Sequence, residues 1–236
     1  MESWTIYKEQ KSFLKDLLRD METMDKGNNN SFYNKYAQSM KSKFVIMLYT
    51  MLESVIMQSL QDIFDHIKQN KISFYDLHDN MKKIYFQAKI KNKERHFNAI
   101  VADNLIEVIE QLNNGVVEIN LKKDFNSENP FNAGSLNYKN VKDNILAILM
   151  SSDSIDSNIN KFNKYFKINI QEVIGVNTKD RNKLAHGEKS FQDFGSNITV
   201  DDLKKRYISI IIFLHKYLKN IEYYIINKAY EISIFI

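Results

Sequence analysis

One stretch of the sequence decides the fold, and it reads FVIMLYTMLESVIM over residues 44–57. Apolar residues fill all of its positions except Thr50, Glu53 and Ser54. The stretch lies inside a segment from Phe32 to about Gln69 that contains neither glycine nor proline. A helix that is apolar on nearly every side lies in the interior of a bundle. The sequence therefore predicts a long central helix with other helices packed around it.

The rest of the chain also has the composition of an all-α protein of 236 residues. A single proline, Pro130, and six glycines leave few breaks. A many-stranded sheet would need turn residues far more often. Hydrophobic residues at 44% and charged residues at 26% are ordinary globular proportions. We expect a helical bundle that forms a single domain over residues 1–236.

Apolar spacing and capping residues place the individual helices. Ser73 and Asp76 can cap the third predicted helix, and Gly187 is placed to end the helix before the last one. The last helix begins near Thr199, where the sequence resembles a capping box with aspartate in its fourth position. The predicted helices span residues 2–25, 32–69, 73–91, 94–112, 141–150, 155–166, 170–186 and 199–230. Residues 115–140 contain the proline and many asparagines, and they are predicted to form a small irregular insertion or loop.

Composition also limits the chemistry and the location of the protein. Cysteine is absent and the five histidines are scattered without ligand spacing, so we expect no metal site and no cofactor. The first residues lack the order of a signal peptide, and the apolar run near 207–214 is too short to span a bilayer. We therefore expect a cytoplasmic protein without a membrane partner. A net charge of +4 fits a polyanionic partner and a solvated lysine-rich surface equally well.

One segment carries a chemical signature, and it reads DRNKLAHGE over residues 180–188. The sequence has no glycine-rich phosphate loop, no Gly-x-Ser-x-Gly elbow and no His-Glu-x-x-His pair. Here the chain resembles the HEPN superfamily, whose motif is an arginine followed after four to six residues by a histidine. It is especially similar to the RiboL-PSP-HEPN and MAE-type branch. The string YTMLE at 49–53 resembles the aromatic-x-x-x-Glu stretch of that branch's central helix.

The resemblance implies an all-α HEPN bundle that works as a homodimer and cuts RNA without a metal ion. It makes Arg181 and His186 the catalytic residues, with Asn182, Lys183 and Glu53 in support. A histidine with a pKa of about 6.5 exchanges protons near neutral pH, and an arginine binds a phosphate and stabilises its charge. The expected products are a 2′,3′-cyclic phosphate and a 5′-hydroxyl. DNA should resist cleavage because it lacks the 2′-hydroxyl.

Helix pitch restricts how the two motif residues can meet. Five residues at about 100° each place Arg181 and His186 roughly 140° apart on a regular helix. They would not share one face. The site therefore needs either a distorted helix end, which Gly187 permits, or residues from two protomers that meet at a two-fold axis.

The motif residues also have structural interpretations. Arg181 and His186 near a helix C-terminus can interact with the last carbonyls and the helix dipole. Asn182 is either an orienting hydrogen-bond partner for the phosphate or the histidine, or an amide on the helix surface. Glu53 lies in the most apolar helix, so it has either a buried partner such as Arg181 or a place on a solvated face.

One departure from the family pattern bears on the biological role. HEPN toxins paired with a nucleotidyltransferase antitoxin commonly carry a tyrosine, the modified residue, where this chain has Glu188. Within a toxin or phage-defence role, we therefore favour a stand-alone defence or abortive-infection nuclease, and an antitoxin or companion defence protein is a candidate partner. Two other interpretations stay open. One is a non-catalytic HEPN module that binds RNA, nucleotide or a partner protein, and the other is a structural helical adaptor.

Overall fold

A computed structural model of the chain describes residues 1–27, 31–89, 119, 136, 138–141 and 152–231. These residues confirm the all-α prediction, because helices account for nearly all of their regular structure and the only β pairing among them is an isolated bridge between Leu77 and Glu231. The helices are α1 (Glu2–Gly27), α2 (Ser31–Gln69), α3 (Asp79–Lys89), α4 (Ser152–Phe166), α5 (Ile170–Ala185), α6 (Phe191–Ser196) and α7 (Val200–Ile226). A further helical turn covers Tyr138–Asn140.

Helix α2 lies at the centre of the bundle, as its composition predicted. It packs against α1, α5, α6 and α7. Its side chains that are fully removed from solvent include Phe44, Val45, Leu48, Met51, Leu52, Val55 and Ile56. Within the described residues, α2 alone is long and apolar enough to cross a membrane, but 56% of that apolar window is buried in the bundle. A buried core helix gives the same signal, so the apolar run is explained by packing.

Local capping chemistry fixes the two helices that matter most for the motif. The Asn169 side chain accepts a hydrogen bond from the backbone N–H of Glu172 and starts α5. Gly187, with φ of +70°, ends the turn that follows α5. The Thr199 hydroxyl accepts the N–H of Asp202 at 3.1 Å and starts α7. Gly187 and Thr199 are therefore found at the boundaries that the sequence indicated, whereas the Asn169 cap was not predicted.

Three predicted boundaries are wrong, and one of them is the start of α4, which lies at Ser152 and not at 155. Ser73 caps a 3₁₀ turn over Phe74–Asp76, and α3 starts only at Asp79 because Leu77 is extended. Helix α7 ends at Ile226 and not near 230, since the chain turns there and Lys228 adopts a left-handed φ of 50°. Helix α6 was not predicted at all, because six residues are too few for an apolar period to be recognised. The helix predicted over 94–112, most of 141–150 and most of the 115–140 insertion lie outside the described residues.

Candidate functional site

The motif is carried by the last turns of α5, which packs between α2 and α7. The single hydroxyl hydrogen of Thr178 on α5 is shared between two carbonyl oxygens, those of Leu136 and Ile174, each 2.9 Å away. Leu136 belongs to the predicted insertion, and its side chain is buried. The insertion therefore touches α5 one turn before the motif arginine.

Arg181 is half-buried and faces α2. Its guanidinium carbon lies 4.9 Å from the centre of the Tyr49 ring, which is the geometry of a cation–π contact. Its Nη1 donates a hydrogen bond to the side-chain oxygen of Asn182 at 3.0 Å. Among the described residues, no carboxylate forms an ion pair with it. Most of its N–H donors are therefore not committed to a carboxylate.

The neighbouring carboxylate has a different partner. Asp180 forms an ion pair with Arg206 of α7, with 2.7 Å between the oxygen and Nη1. Both side chains are largely buried, with 14% and 18% of their surface exposed. This buried ion pair joins α5 to α7. The Asp180 carboxylate is therefore not available to pair with Arg181.

Tyr49 is held by three polar contacts around its hydroxyl and ring. The hydroxyl accepts the backbone N–H of Leu136 at 3.0 Å and donates to a carboxylate oxygen of Glu53 at 3.4 Å. Burial raises the pKa of Tyr49 to about 12, so the phenol stays protonated at neutral pH. The ring that meets Arg181 is thus neutral and fixed at its far end.

Glu53 lies one turn after Tyr49 on α2 and is partly buried. Burial raises the pKa of its carboxyl, while the positive charge of Arg181 and the hydrogen bond from Tyr49 act in the opposite direction. Of the two placements that the sequence left open, the structure shows the one with a buried partner, but that partner is the Tyr49 hydroxyl at 3.4 Å, and no ion pair joins Glu53 to Arg181.

Asn182 and Lys183 complete the turn. The Asn182 amide oxygen is bonded to Arg181, so this residue orients the arginine within its own chain. Lys183 is half-buried, and within the described residues its ammonium has no hydrogen bond or ion pair. A step of two helical residues separates Lys183 from Arg181 by about 200°, so its ammonium lies on the His186 side of α5 and not beside the guanidinium.

His186 lies on the other side of the helix end. It is exposed, it is the C-cap residue, and its backbone N–H donates to the carbonyl of Asn182 at 2.9 Å. That bond keeps the last turn helical, so α5 is not distorted between Arg181 and His186. No hydrogen bond joins the two side chains in one chain, since Arg181 turns toward Tyr49 while the imidazole faces solvent.

Sequence reasoning missed three residues of this site: Tyr49, Leu136 and Thr178. Tyr49 was noticed only as part of a stretch that resembles the family pattern. Its spacing of four residues from Glu53 places both on one face of α2, which was the available signal. Nothing in the sequence marks Leu136, because its backbone and not its side chain makes the contacts.

Comparison with known proteins identifies one match. The profile of a family described as HEPN_MAE_28990-like HEPN covers residues 8–230, which is most of the chain. No curated protein and no solved structure matches the chain.

Proposed function

Because this chain belongs to the HEPN_MAE_28990-like HEPN family, we propose that it is a metal-independent RNA endonuclease built from Arg181 and His186. HEPN domains are nuclease or nucleotide-binding modules, and the choice between these rests on the site. One observation carries the proposal. The Arg181 guanidinium is half-buried, and the carboxylate next to it in sequence, Asp180, forms its ion pair with Arg206 instead.

An arginine of this kind is suited to a phosphate. Its fork of N–H donors matches two phosphate oxygens, and partial burial strengthens the attraction because solvent screens it less. Lys183 lies about 200° from Arg181 but only about 60° from His186 on the helix, so it supports the histidine side of the site. We infer that Arg181 binds the scissile phosphate of RNA and that Lys183 adds positive charge beside His186.

The second half of the site comes from another protomer in this proposal. Arg181 and His186 point about 140° apart on a helix that is regular to its end. A two-fold axis beside the end of α5 would bring the exposed His186 of one subunit to the Arg181 of the other. The homodimer is therefore part of the active site and not an addition to it.

The chemistry follows from the two side chains. Neutral His186 removes the proton from the ribose 2′-hydroxyl, and the 2′-oxygen attacks the adjacent phosphorus. Arg181 stabilises the negative charge that grows on the phosphate oxygens. The bond to the 5′-oxygen breaks, and that oxygen takes up a proton from a histidine or from water. The products are a 2′,3′-cyclic phosphate and a 5′-hydroxyl. In this scheme side chains supply both the base and the charge stabilisation, so the step uses no metal ion.

Such an enzyme is toxic to the cell that contains it unless it is restrained. We propose a cytoplasmic role as a toxin or in phage defence, with an antitoxin or a companion defence protein as its regulator. Glu188 replaces the tyrosine that is modified in related toxins. The activity of this protein would therefore be restrained by a mechanism other than tyrosine modification.

The test is cleavage of end-labelled RNA in EDTA by wild type, Arg181→Ala and His186→Ala. We expect cleavage by wild type, and a loss of about a hundredfold or more in each variant, as for the removal of a general base or a charge-stabilising donor. DNA of the same sequence should remain intact. RNA that is equally stable with all three proteins would contradict the proposal.

The matched controls are His78, at the opposite end of α7, and Arg19, an exposed residue of α1 whose ion pair is with Asp16. His78 donates its backbone N–H to the carbonyl of Tyr230, just beyond that end, whereas Arg206 marks the motif end. The two ends are separated by roughly 30 Å along the helix. His78→Ala and the exposed Arg19→Ala should leave cleavage unchanged, which separates a site effect from a general loss of charge or of imidazole.

A non-catalytic binding module is the second candidate, and one observation favours it. The His186 imidazole lies away from Arg181 within a chain. If the protein retains RNA in an Arg181-dependent manner without cutting it, this second function is the correct one.

A further inference from the structure

We propose that Tyr49 is a positioning residue, whose ring holds the Arg181 guanidinium in place while leaving its N–H donors free for the phosphate. This inference rests on the proposed function. Tyr49 lies outside the Arg–His motif and on a different helix, and the cleavage reaction would depend on it.

The Arg181 side chain is in direct contact with the Tyr49 ring. The Arg181 guanidinium carbon is 4.9 Å from the Tyr49 ring centre, and the ring is only 1% exposed. A cation within about 6 Å of an aromatic face is attracted to the ring, and the attraction grows when solvent is excluded. The ring therefore restricts where the end of a long and flexible side chain can lie.

The Tyr49 ring is itself held in place through its hydroxyl. Its hydroxyl accepts the Leu136 N–H at 3.0 Å, and the Leu136 carbonyl accepts the Thr178 hydroxyl at 2.9 Å. Both backbone groups of Leu136 are thus bonded to side chains of α2 and α5. This bridge fixes the distance between the helix that carries the ring and the helix that carries the arginine.

Arg181 and Arg206 are held by different kinds of partner. Arg206 is held by a carboxylate, Asp180, at 2.7 Å, and that bond uses an N–H donor and neutralises the charge. An aromatic face attracts the cation without accepting its in-plane N–H bonds. Arg181 consequently keeps both its charge and most of its donors. Holding by a ring is compatible with phosphate binding, whereas holding by a carboxylate would compete with it.

The variants for the test are Tyr49→Leu, which removes the ring, and Tyr49→Phe, which keeps it. Tyr7→Leu is the matched control. Tyr7 is also buried, at 2% exposure, its ring lies 5.5 Å from a Lys11 ammonium, and its hydroxyl donates to a backbone carbonyl. Like Tyr49, it is buried with a cation near its ring and a hydroxyl bonded to the backbone, but it does not contact the motif.

We expect Tyr49→Leu to lower kcat/KM for RNA cleavage roughly tenfold, with Tyr49→Phe recovering most of the loss. In an Arg181→Ala background, Tyr49→Leu should cause no additional loss, because a residue that acts only through Arg181 has nothing left to position. Tyr7→Leu should lower thermal stability to a similar degree without this effect on kcat/KM. Equal effects of Tyr49→Leu and Tyr7→Leu on cleavage, or fully additive losses, would overturn the inference.

A second readout does not depend on cleavage. The Arg181 side-chain N–H signals in an NMR spectrum should be displaced by the Tyr49 ring current, and the displacement should vanish in Tyr49→Leu but persist in Tyr49→Phe. If wild type fails to cut RNA but this pattern is found, the proposed function fails and the positioning by Tyr49 is supported. If the signals are the same in wild type and Tyr49→Leu, the positioning itself is refuted.

Discussion

Replacing Gly195 by alanine should weaken the attachment of α6 to the central helix. A Cβ atom built on Gly195 lies 1.8 Å from the carbonyl oxygen of Gln38 and 2.5 Å from its carbon. Both are backbone atoms of α2, so they cannot swing aside as the end of a side chain would. Nonbonded heavy atoms need about 3.5 Å, so α6 must retreat by about 1.7 Å. The neighbouring hydrogen bond from the Ser42 hydroxyl to the Phe191 carbonyl would break.

The expected cost is about 3 kcal/mol, the upper end of the usual range for overpacking, because backbone and not side chain has to give way. For a chain of this size, a loss of about 3 kcal/mol in the free energy of unfolding lowers Tm by about 6–12 °C. Urea and thermal unfolding followed by circular dichroism measure both quantities. The matched control is Gly175→Ala in α5, where a Cβ would meet nothing within 4 Å. That variant should gain up to about 1 kcal/mol from better helix propensity. Equal stability of Gly195→Ala and wild type would refute the close approach of α6 and α2.

Three other substitutions probe the polar interior and one cap. Asn177→Leu keeps the branching of the side chain but removes a buried amide without a hydrogen-bond partner in the described structure, so urea unfolding should show a gain of about 1 kcal/mol, and a loss of that size would contradict it. Burial raises the pKa of Glu53, so wild type loses stability as the pH rises through that folded-state pKa. Glu53→Gln should therefore be more stable than wild type at neutral pH and equal to it below the ordinary glutamate pKa of 4.5, whereas parallel pH profiles would refute this. Thr199→Ala removes the N-cap of α7 and should cost about 1 kcal/mol in thermal unfolding, while Thr23→Ala inside α1 should cost nothing.

The fold was predictable wherever it depends on local sequence. The apolar stretch at 44–57 was sufficient to identify the central helix, and Thr199 and Gly187 marked helix ends because capping is a local interaction. The start of α3 was not predictable from Ser73. There the chain is held extended by distant residues, since the His78 N–H donates to the carbonyl of Tyr230. A contact between residues so far apart in sequence leaves no trace in a local pattern.

The same division applies to the candidate site. The spacing of Arg181 and His186 identified the segment, because that motif lies within one helix. The contact of Arg181 with Tyr49 joins two helices, and the hydrogen bond that fixes Tyr49 comes from the backbone of Leu136. Backbone donors are the same in every residue, so such partners become visible only in three dimensions.

The measurement that tests the composite site most directly is RNA cleavage in EDTA by a purified heterodimer. One subunit carries Arg181→Ala, the other carries His186→Ala, and different tags allow isolation of the mixed species. If each site combines Arg181 of one protomer with His186 of its partner, one of the two sites in this heterodimer is intact. We expect about half of the wild-type activity, compared with almost none for either mutant homodimer. Activity no higher than that of the mutant homodimers would contradict the assembly of a ribonuclease site across the dimer axis.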